Sequence, residues 1–261
     1  MSVFMVLLRK EFQEIFREKR FPYYAIGYAL ILGLISYGLL SDVQGASAKG
    51  PGAVVPTALN IAVALFFFNL LALVLLTAFF VLDSVGKERD AGMLGLLLTS
   101  PAGPSTLLAA KVAFGLMVYA ASAALGLVLA LILGFALGDI LLQAIFTFYV
   151  GPLFVLFVFL LGSGLLLAVV TSSSRLALAA GLGIHLPLFL LGATPLFDGL
   201  LGFIPAAQTF FDWTPFAAAQ ASMNEIVYGS TDALPKELVT LGVGLGCLVL
   251  AFLIFRRQEM P

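Results

Sequence analysis

Polar side chains inside the apolar parts of this sequence are the first candidates for chemistry, and they are few. Asn69 lies in the middle of one apolar run, and His185, the only histidine of the chain, lies in the middle of another. A polar group in hydrocarbon costs free energy, so such a residue either serves a function or hydrogen-bonds to a neighbouring helix. A single histidine without nearby cysteine or carboxylate predicts no metal site. No nucleophile is paired with a base, so we predict no catalytic residue.

The second candidate is a charged segment, residues 83–106, that separates two apolar runs. Its first half carries the triplet Glu88-Arg89-Asp90, and its second half is rich in leucine up to Ser100-Pro101. Because proline disfavours helical backbone in the residue before it, a short helix should end there. We expect this helix to lie along the membrane surface, with its charges available to a soluble partner and its leucines packed on the bundle. An ordinary amphipathic connector fits the same composition.

The composition shows in which solvent these candidates lie. Hydrophobic residues make up 62% of the chain and charged residues 10%, whereas a soluble domain carries roughly 25% charged residues. Six apolar runs reach the length of roughly 20 residues that is needed to cross a membrane. They are residues 21–40, 59–82, 107–137, 141–170, 176–194 and 238–255. Because these runs do not alternate in polarity as barrel strands do, we predict an all-α integral membrane protein, with residues 1–261 as a single membrane domain.

The distribution of lysine and arginine predicts the orientation of these spans. With the N-terminus in the cytoplasm, eleven basic residues fall on the cytoplasmic side, and only Lys49 and Lys236 fall on the other. Such an excess of basic residues marks the cytoplasmic side of membrane proteins. We therefore expect a multi-pass protein of the inner (plasma) membrane with both termini in the cytoplasm. The formal net charge of −1 gives no general attraction to nucleic acid.

The first 20 residues predict an amphipathic helix at the membrane interface. Phe4, Leu8, Phe12, Ile15 and Phe16 recur at helical spacing, and basic and acidic residues occupy the rest of the helix surface. Basic side chains in such a helix lie near anionic headgroups. The helix either transmits movement or serves only to anchor and orient the chain, and the sequence leaves both open.

The charged segment also carries a family resemblance. The stretch from Glu88 to Pro101, followed by Leu107, Leu108 and Lys111, closely resembles a stretch of ABC-2 type transporter permeases. In that family an acidic-basic-acidic triplet is followed by a glycine, a leucine-rich turn, Ser/Thr-Pro and a later lysine. The resemblance covers nearly the whole chain, including the interfacial helix and six spans. It implies the ABC-2 (type V exporter-like) architecture.

The resemblance implies that the charged segment contains a coupling helix, which docks on a separate ATP-binding cassette ATPase. The residues that would make this contact are Glu88, Arg89, Asp90, Gly92, Leu94, Leu97, Leu98, Thr99, Ser100 and Pro101. The chain has no phosphate-binding loop of the form GxxxxGK(S/T), so it carries no cofactor, and the partner would bind ATP and Mg. The family further implies a second permease chain, in a homodimer or a heterodimer.

The resemblance also implies where a transport pathway would lie. In ABC-2 permeases the second and fifth spans of the two chains face each other across the pathway. Asn69 and His185, with Phe66 and Phe67 as apolar neighbours, would then line it. The alternative is that Asn69 and His185 each join two helices by one hydrogen bond, worth on average about 0.6 kcal/mol.

The region between the last two spans, residues 195–235, is too apolar for a free loop and too often interrupted for a span. Pro195, Pro205 and Pro215 divide it into short pieces such as 197–204 and 216–228. Trp213 and Tyr228 suit the aromatic belt of a membrane interface. We expect re-entrant or surface helices that cap the outer end of the pathway; a packed cover without a gating role fits equally well.

These observations favour the permease subunit of an ABC transporter, most simply an exporter. Few charges in the spans disfavour an ionic cargo and favour a lipid-like, peptide or drug-like amphiphile. A secondary transporter or channel independent of ATP is the alternative, and it would call for an internal repeat, broken helices or carboxylates at mid-depth. An intramembrane enzyme would need paired carboxylates or a second histidine. The sequence shows no convincing repeat, no acidic residue at mid-depth, no paired carboxylates at depth and no second histidine.

Overall fold

A computed structural model describes residues 3–47, 51–90, 103–137, 139–193, 205–229 and 233–257, and its secondary structure is helical throughout. The helices are α1 (Val3–Arg17), α2 (Arg20–Ser47), α3 (Pro51–Leu76), α4 (Asp83–Asp90), α5 (Gly103–Leu137), α6 (Asp139–Val150), α7 (Pro152–Val170), α8 (Ser174–Ala193), α9 (Pro205–Asp212), α10 (Pro215–Tyr228) and α11 (Ala233–Arg257). A π-helical segment, Thr77–Leu82, joins α3 directly to α4.

Five helical stretches of the described residues are long and apolar enough to cross a membrane, by length and composition. They are Val63–Glu88, Ser105–Val128, Phe146–Val170, Ser174–Gly192 and Ala233–Arg257. Each overlaps one of the predicted spans. Helix α2 contains the predicted first span, 21–40, but is not among the five, so the count of six spans stays a prediction.

The second span runs further than its apolar residues do. The sequence analysis ended this span at residue 82, but the helix continues through the π-helical segment to Asp90. Within the π-helical segment, the hydroxyl of Thr77 donates to the carbonyl of Leu73 at 2.8 Å. The charged residues of α4 therefore stand on the rigid end of a membrane helix.

The predicted fourth span, 141–170, is two helices rather than one. Helix α6 ends at Val150 and α7 begins at Pro152, with Gly151 between them at φ −100° and ψ −93°. Proline has no N–H to donate, and its ring collides with the carbonyl four residues earlier, so the helix breaks here. A hydrogen bond of 3.0 Å from the Gly151 N–H to the Thr147 carbonyl closes the turn.

Helices α7 and α11 approach each other most closely where two glycines meet. A Cβ on Gly162 would collide with the carbonyl oxygen of Gly244, and a Cβ on Gly244 would lie 2.7 Å from the Cα of Phe159. Small residues let membrane helices approach until their backbones touch, which maximises van der Waals packing. This contact fixes the last span against the centre of the bundle.

The remaining connections are short where the structure describes them. Residues Thr171, Ser172 and Ser173 turn the chain between α7 and α8, as the polar sequence there predicts. Helix α10 matches the predicted piece 216–228; Thr214 caps its N-terminus and Gly229, at φ 75°, ends it. The predicted piece 197–204 lies outside the described residues.

Candidate functional site

Four charged residues meet where α1 and α4 pack against α5, and we name them the charged junction. The Nζ of Lys111 lies 2.6 Å from Oε1 of Glu11 and 3.2 Å from Oε1 of Glu88. The Nζ of Lys10 lies 2.7 Å from the same oxygen of Glu88. Glu88 therefore connects the end of the second span to both α1 and α5.

The charged junction is largely removed from water. Lys111, Glu88 and Glu11 are 3%, 6% and 7% exposed, and the side chain of Lys10 is 34% exposed. Two carboxylates and two ammonium groups balance in formal charge. A buried ion loses several kcal/mol of hydration, so its partners must stay in place once the site is assembled. The junction therefore ties the three helices together and resists their separation.

Apolar residues on either side hold the buried charges in position. Glu11 lies on the buried face of α1 between Leu7 and Ile15, one helical turn from each. On the facing helix, the ring of Phe114 meets the ring of Phe12 edge-on, with centroids 5.8 Å apart. The buried face of α1 therefore carries a carboxylate at its centre, between two apolar residues.

Burial shifts the pKa values of the two junction residues of α1. It raises the pKa of the Glu11 carboxyl above its usual value of 4.5, although the neighbouring ammonium of Lys111 opposes this. For Lys10, burial lowers the pKa, but the hydrogen bond and charge of Glu88 outweigh it and the pKa is raised above 10.5. At Lys10 the counter-charge of Glu88 therefore outweighs burial, whereas at Glu11 burial outweighs the counter-charge of Lys111.

The position of Glu88 corrects the expectation that its side chain faces water or a partner. The carboxylate turns inward to the two lysines, because burying an ammonium group requires a counter-charge. Its second oxygen, Oε2, is buried and has no hydrogen-bond partner in the part of the chain that the structure describes. Asp90 is exposed, and the side chain of Arg89 lies outside the description.

Asp90 connects α4 to the start of α8. Its carboxylate accepts a hydrogen bond from the backbone N–H of Ser174 at 3.2 Å and another from the Ser174 hydroxyl. A carboxylate at a helix N-terminus also interacts favourably with the helix dipole. Gly86 makes this contact possible, because a Cβ there would collide with the Cα of Ser174.

A second ionic contact connects α4 to the turn between α1 and α2. One oxygen of Glu18 lies 2.9 Å from the Nζ of Lys87 and 2.6 Å from the Nε of Arg20. Lys19 in this turn has a φ of 56°. Helix α4 is thus held by charged or hydrogen-bonded contacts to α1, α5, α8 and the turn between α1 and α2.

An open cleft of about 1070 Å³ lies along α1 and α4 beside the charged junction. It is lined by Lys10, Gln13, Glu14, Phe16, Arg17, Glu18, Lys87, Glu88 and Asp90. Charges of both signs border it, which suits a protein surface more than a single small ion. The other predicted coupling residues, Gly92, Leu94, Leu97, Leu98, Thr99, Ser100 and Pro101, lie outside the described residues, so their role stays a prediction.

Asn69 is the centre of a buried polar cluster between α2, α3 and α6. Its Oδ1 accepts hydrogen bonds from the hydroxyls of Tyr28 and Tyr149, the latter at 2.5 Å, and the two hydroxyls lie 2.7 Å apart. Its Nδ2 donates to the carbonyl of Leu65 at 2.7 Å. Gly126 leaves room for the Tyr149 hydroxyl, because a Cβ there would overlap it. The cavity at this cluster is only about 10 Å³.

His185 is enclosed in the same way, between α8 and α7. Its Nε2 lies 2.9 Å from the hydroxyl of Ser163, and its ring meets Phe159 edge-on with centroids 5.9 Å apart. His185 and Asn69 are 3% and 6% exposed within a single chain. Each residue has its hydrogen bond inside its own chain, which favours the alternative that it joins two helices; a position on a pathway between two chains stays a prediction.

The two predicted pathway phenylalanines also pack within the chain. Phe66 is 2% exposed, and its ring lies against Phe148 with centroids 4.5 Å apart. Phe67 is partly buried and packs on the hydrophobic core. The four predicted pathway residues therefore do not share one cavity, and their contacts favour the helix-joining alternative.

Sequence reasoning missed the residues that complete each cluster. Glu11, Tyr28, Tyr149 and Ser163 are the partners of residues that it did identify. One signal was available: Lys111 interrupts an apolar run, and a buried lysine needs a carboxylate. Which carboxylate it meets depends on how α1 folds back on α5, a contact between residues 100 positions apart.

Comparison with known proteins gives a family match over nearly the whole chain. A family model described as "ABC-2 family transporter protein" matches residues 5–260. No curated protein matches the chain.

Proposed function

Because the chain belongs to the ABC-2 family of transporter proteins, we propose that it is the membrane permease of an exporter driven by a separate ATP-binding subunit. Membership of this family makes it a multi-pass transport subunit. The cargo, the direction of transport and the docking residues are parts of the proposal. The observation that best supports a coupling role is the charged junction, because it connects the end of one membrane helix to two other helices.

The first step of the proposed mechanism is docking of the ATPase at the cytoplasmic end of the second span. The cleft along α1 and α4 is large, open and bordered by both signs of charge. The predicted coupling segment continues from Asp90 at the edge of this cleft. A partner bound here would contact α1 and α4 at the same time.

The second step passes movement of the partner to the membrane helices. Helix α4 cannot tilt alone, since Glu88 is paired with Lys10 on α1 and with Lys111 on α5. Separating these ions without new partners would cost several kcal/mol, so the helices move together. Asp90 extends the same connection to α8 through Ser174.

The proposed cargo is an amphiphile that is lipid-like, peptide or drug-like. The described parts of the spans carry few ionisable groups, and Lys111 is already neutralised by two carboxylates. A strongly charged cargo would meet no counter-charge there and would pay its desolvation cost in full. An uncharged or weakly charged amphiphile would not pay this desolvation cost.

Lys10 and Arg9 provide a matched pair for testing the coupling role. Both are basic residues of α1, but only Lys10 reaches Glu88, and Arg9 is exposed. The permease should first copurify with an ATP-binding cassette subunit and be reconstituted with it in vesicles. Lys10→Gln should then reduce cargo-stimulated ATP hydrolysis and transport several-fold while basal hydrolysis persists, and Arg9→Gln should leave both unchanged.

Two results would contradict the proposal. Equal effects of Lys10→Gln and Arg9→Gln would remove the charged junction from the coupling path. Transport by vesicles that contain the permease alone, driven by an ion gradient, would favour a secondary transporter instead.

A further inference from the structure

An apolar groove of about 480 Å³ lies at the end of the bundle opposite the charged junction, among α7, α8, α11 and the turn between α9 and α10. Its apolar walls are formed by Phe159, Leu188, Phe210, Trp213, Val239 and Val243. We name it the tryptophan groove. It is separate from the Asn69 cluster and shares no residue with the charged junction.

The groove offers few directional contacts to a polar ligand. None of its described lining residues is charged. The hydroxyl of Thr214 donates to the carbonyl of Phe211 at 2.8 Å, and that of Thr240 donates to the carbonyl of Lys236 at 2.9 Å. Because these two hydroxyls already donate to backbone carbonyls, an occupant rich in hydrogen-bonding groups would lose its water with little compensation.

The groove opens onto the surface of a membrane-spanning helix. Val239 and Val243 are 45% and 48% exposed, and one face of α11 continues from them to Leu250 and Leu253, which are also exposed. Since α11 is long and apolar enough to cross the membrane, this face meets hydrocarbon. A chain in the surrounding lipid can therefore enter the groove sideways without crossing water.

From these features we propose that the tryptophan groove binds one acyl chain of a bilayer lipid. Recognition is of the hydrocarbon chain and not of the headgroup. Because the chain comes from hydrocarbon and not from water, van der Waals packing against the aromatic and branched side chains supplies the affinity. The proposal is independent of the ATPase partner and holds whatever the exported cargo is.

Trp213 provides a direct reporter, because it is the only tryptophan of the chain and lines the groove. We would purify the permease in an uncharged detergent and titrate it with a phospholipid that carries bromine atoms on one acyl chain. Bromine quenches tryptophan fluorescence on contact. Quenching should saturate at a low mole fraction of lipid, and a shorter chain should require more lipid, whereas exchanging a zwitterionic for an anionic headgroup should change little.

Val243→Phe and Val249→Phe are the matched variants. Both valines are exposed on α11, but only Val243 lines the groove. Filling the groove with the larger ring should exclude part of the acyl chain and raise the mole fraction at half-quenching several-fold, because packing contacts are lost. Val249→Phe should behave as the wild type, and elution as a single species would show that both variants are folded.

Three outcomes would overturn the proposal. Quenching that rises in proportion to lipid without saturating would mean bulk contact only, and an equal effect of the two variants would mean that the groove is not the site. Chemical crosslinking of Val239→Cys or Val243→Cys between two copies of the chain, with loss of quenching on dimerisation, would assign the groove to a protein interface. Loss of ATPase binding would not affect any of these measurements.

Discussion

Glu11 shows how a single buried carboxyl can make the stability of a membrane protein depend on pH. Its pKa is raised in the folded chain because burial penalises the charged form more than Lys111 stabilises it. A group of this kind contributes stability that is fully present below its unfolded pKa, near 4.5, and is lost as pH rises through the folded pKa.

Replacing Glu11 by glutamine should remove this dependence. Glutamine keeps the shape of the side chain and still accepts a hydrogen bond from Lys111, which remains paired with Glu88. We expect the difference between the Tm of Glu11→Gln and the Tm of the wild type to increase as pH rises from 4.5, and then to become constant. Thermal unfolding in detergent across this pH range, with Glu14→Gln as the control, would measure it; parallel curves would contradict the assignment.

Asn69→Leu tests whether Asn69 joins helices or lines a pathway. Leucine would deprive the hydroxyls of Tyr28 and Tyr149 of their common acceptor, although they could still bond to each other. We expect a loss of about 1–3 kcal/mol in stability, with transport by the surviving protein unchanged. Loss of transport without loss of thermal stability would instead return Asn69 to the pathway.

At the residue scale, the sequence identified polar residues within apolar runs but not their hydrogen-bond or ion-pair partners. Asn69, His185 and Lys111 could be found because each interrupts an apolar run. Tyr28 and Tyr149 could not, because tyrosine is common at both buried and interfacial positions. The partners come from helices far apart in sequence, so only the packed structure brings them together.

At the element scale, the contact between α7 and α11 depends on Gly244. Any side chain there would collide with the backbone of Phe159, so the helices would have to separate. We expect Gly244→Leu to destabilise the chain by about 1–3 kcal/mol, as overpacking typically does. Gly246, which has open space beside it, is the control: Gly246→Leu should change the Tm little. Equal losses at the two positions would contradict this role of Gly244.

The elements themselves were largely predictable. Long apolar runs predict membrane helices, and the structure has a helix at each of the six runs in the residues it describes. The break at Gly151-Pro152 was visible in the sequence but hidden inside an apolar run of apparently sufficient length. The continuation of the second span to Asp90 was not predictable, because its last residues are charged and are stabilised by contacts with three other helices.

At the scale of the whole molecule, the orientation in the membrane is the remaining prediction from sequence. Eleven of thirteen basic residues lie on the side assigned to the cytoplasm. Cys247 is the only cysteine, so a Cys247→Ser background allows single cysteines to be introduced at Ser172, between α7 and α8, and at Asn224 on α10.

A membrane-impermeant maleimide should then label the two positions from opposite sides. Ser172→Cys should react only in inside-out vesicles, since the turn that carries it belongs to the basic side. Asn224→Cys should react only in right-side-out vesicles. Labelling of both positions from the same side would contradict the arrangement of the last three spans.

The π-helical segment Thr77–Leu82 sets the angular phase between the two ends of the second span. A π turn holds about one residue more than an α turn, and each α-helical residue advances the helix by about 100°. If residues 77–82 were α-helical, Glu88 would be rotated about 100° around the helix axis, away from Lys111. Conversely, deleting one residue within 77–82 would regularise the helix and keep both faces aligned. The extra residue of this segment therefore sets the orientation of Asn69 relative to Glu88.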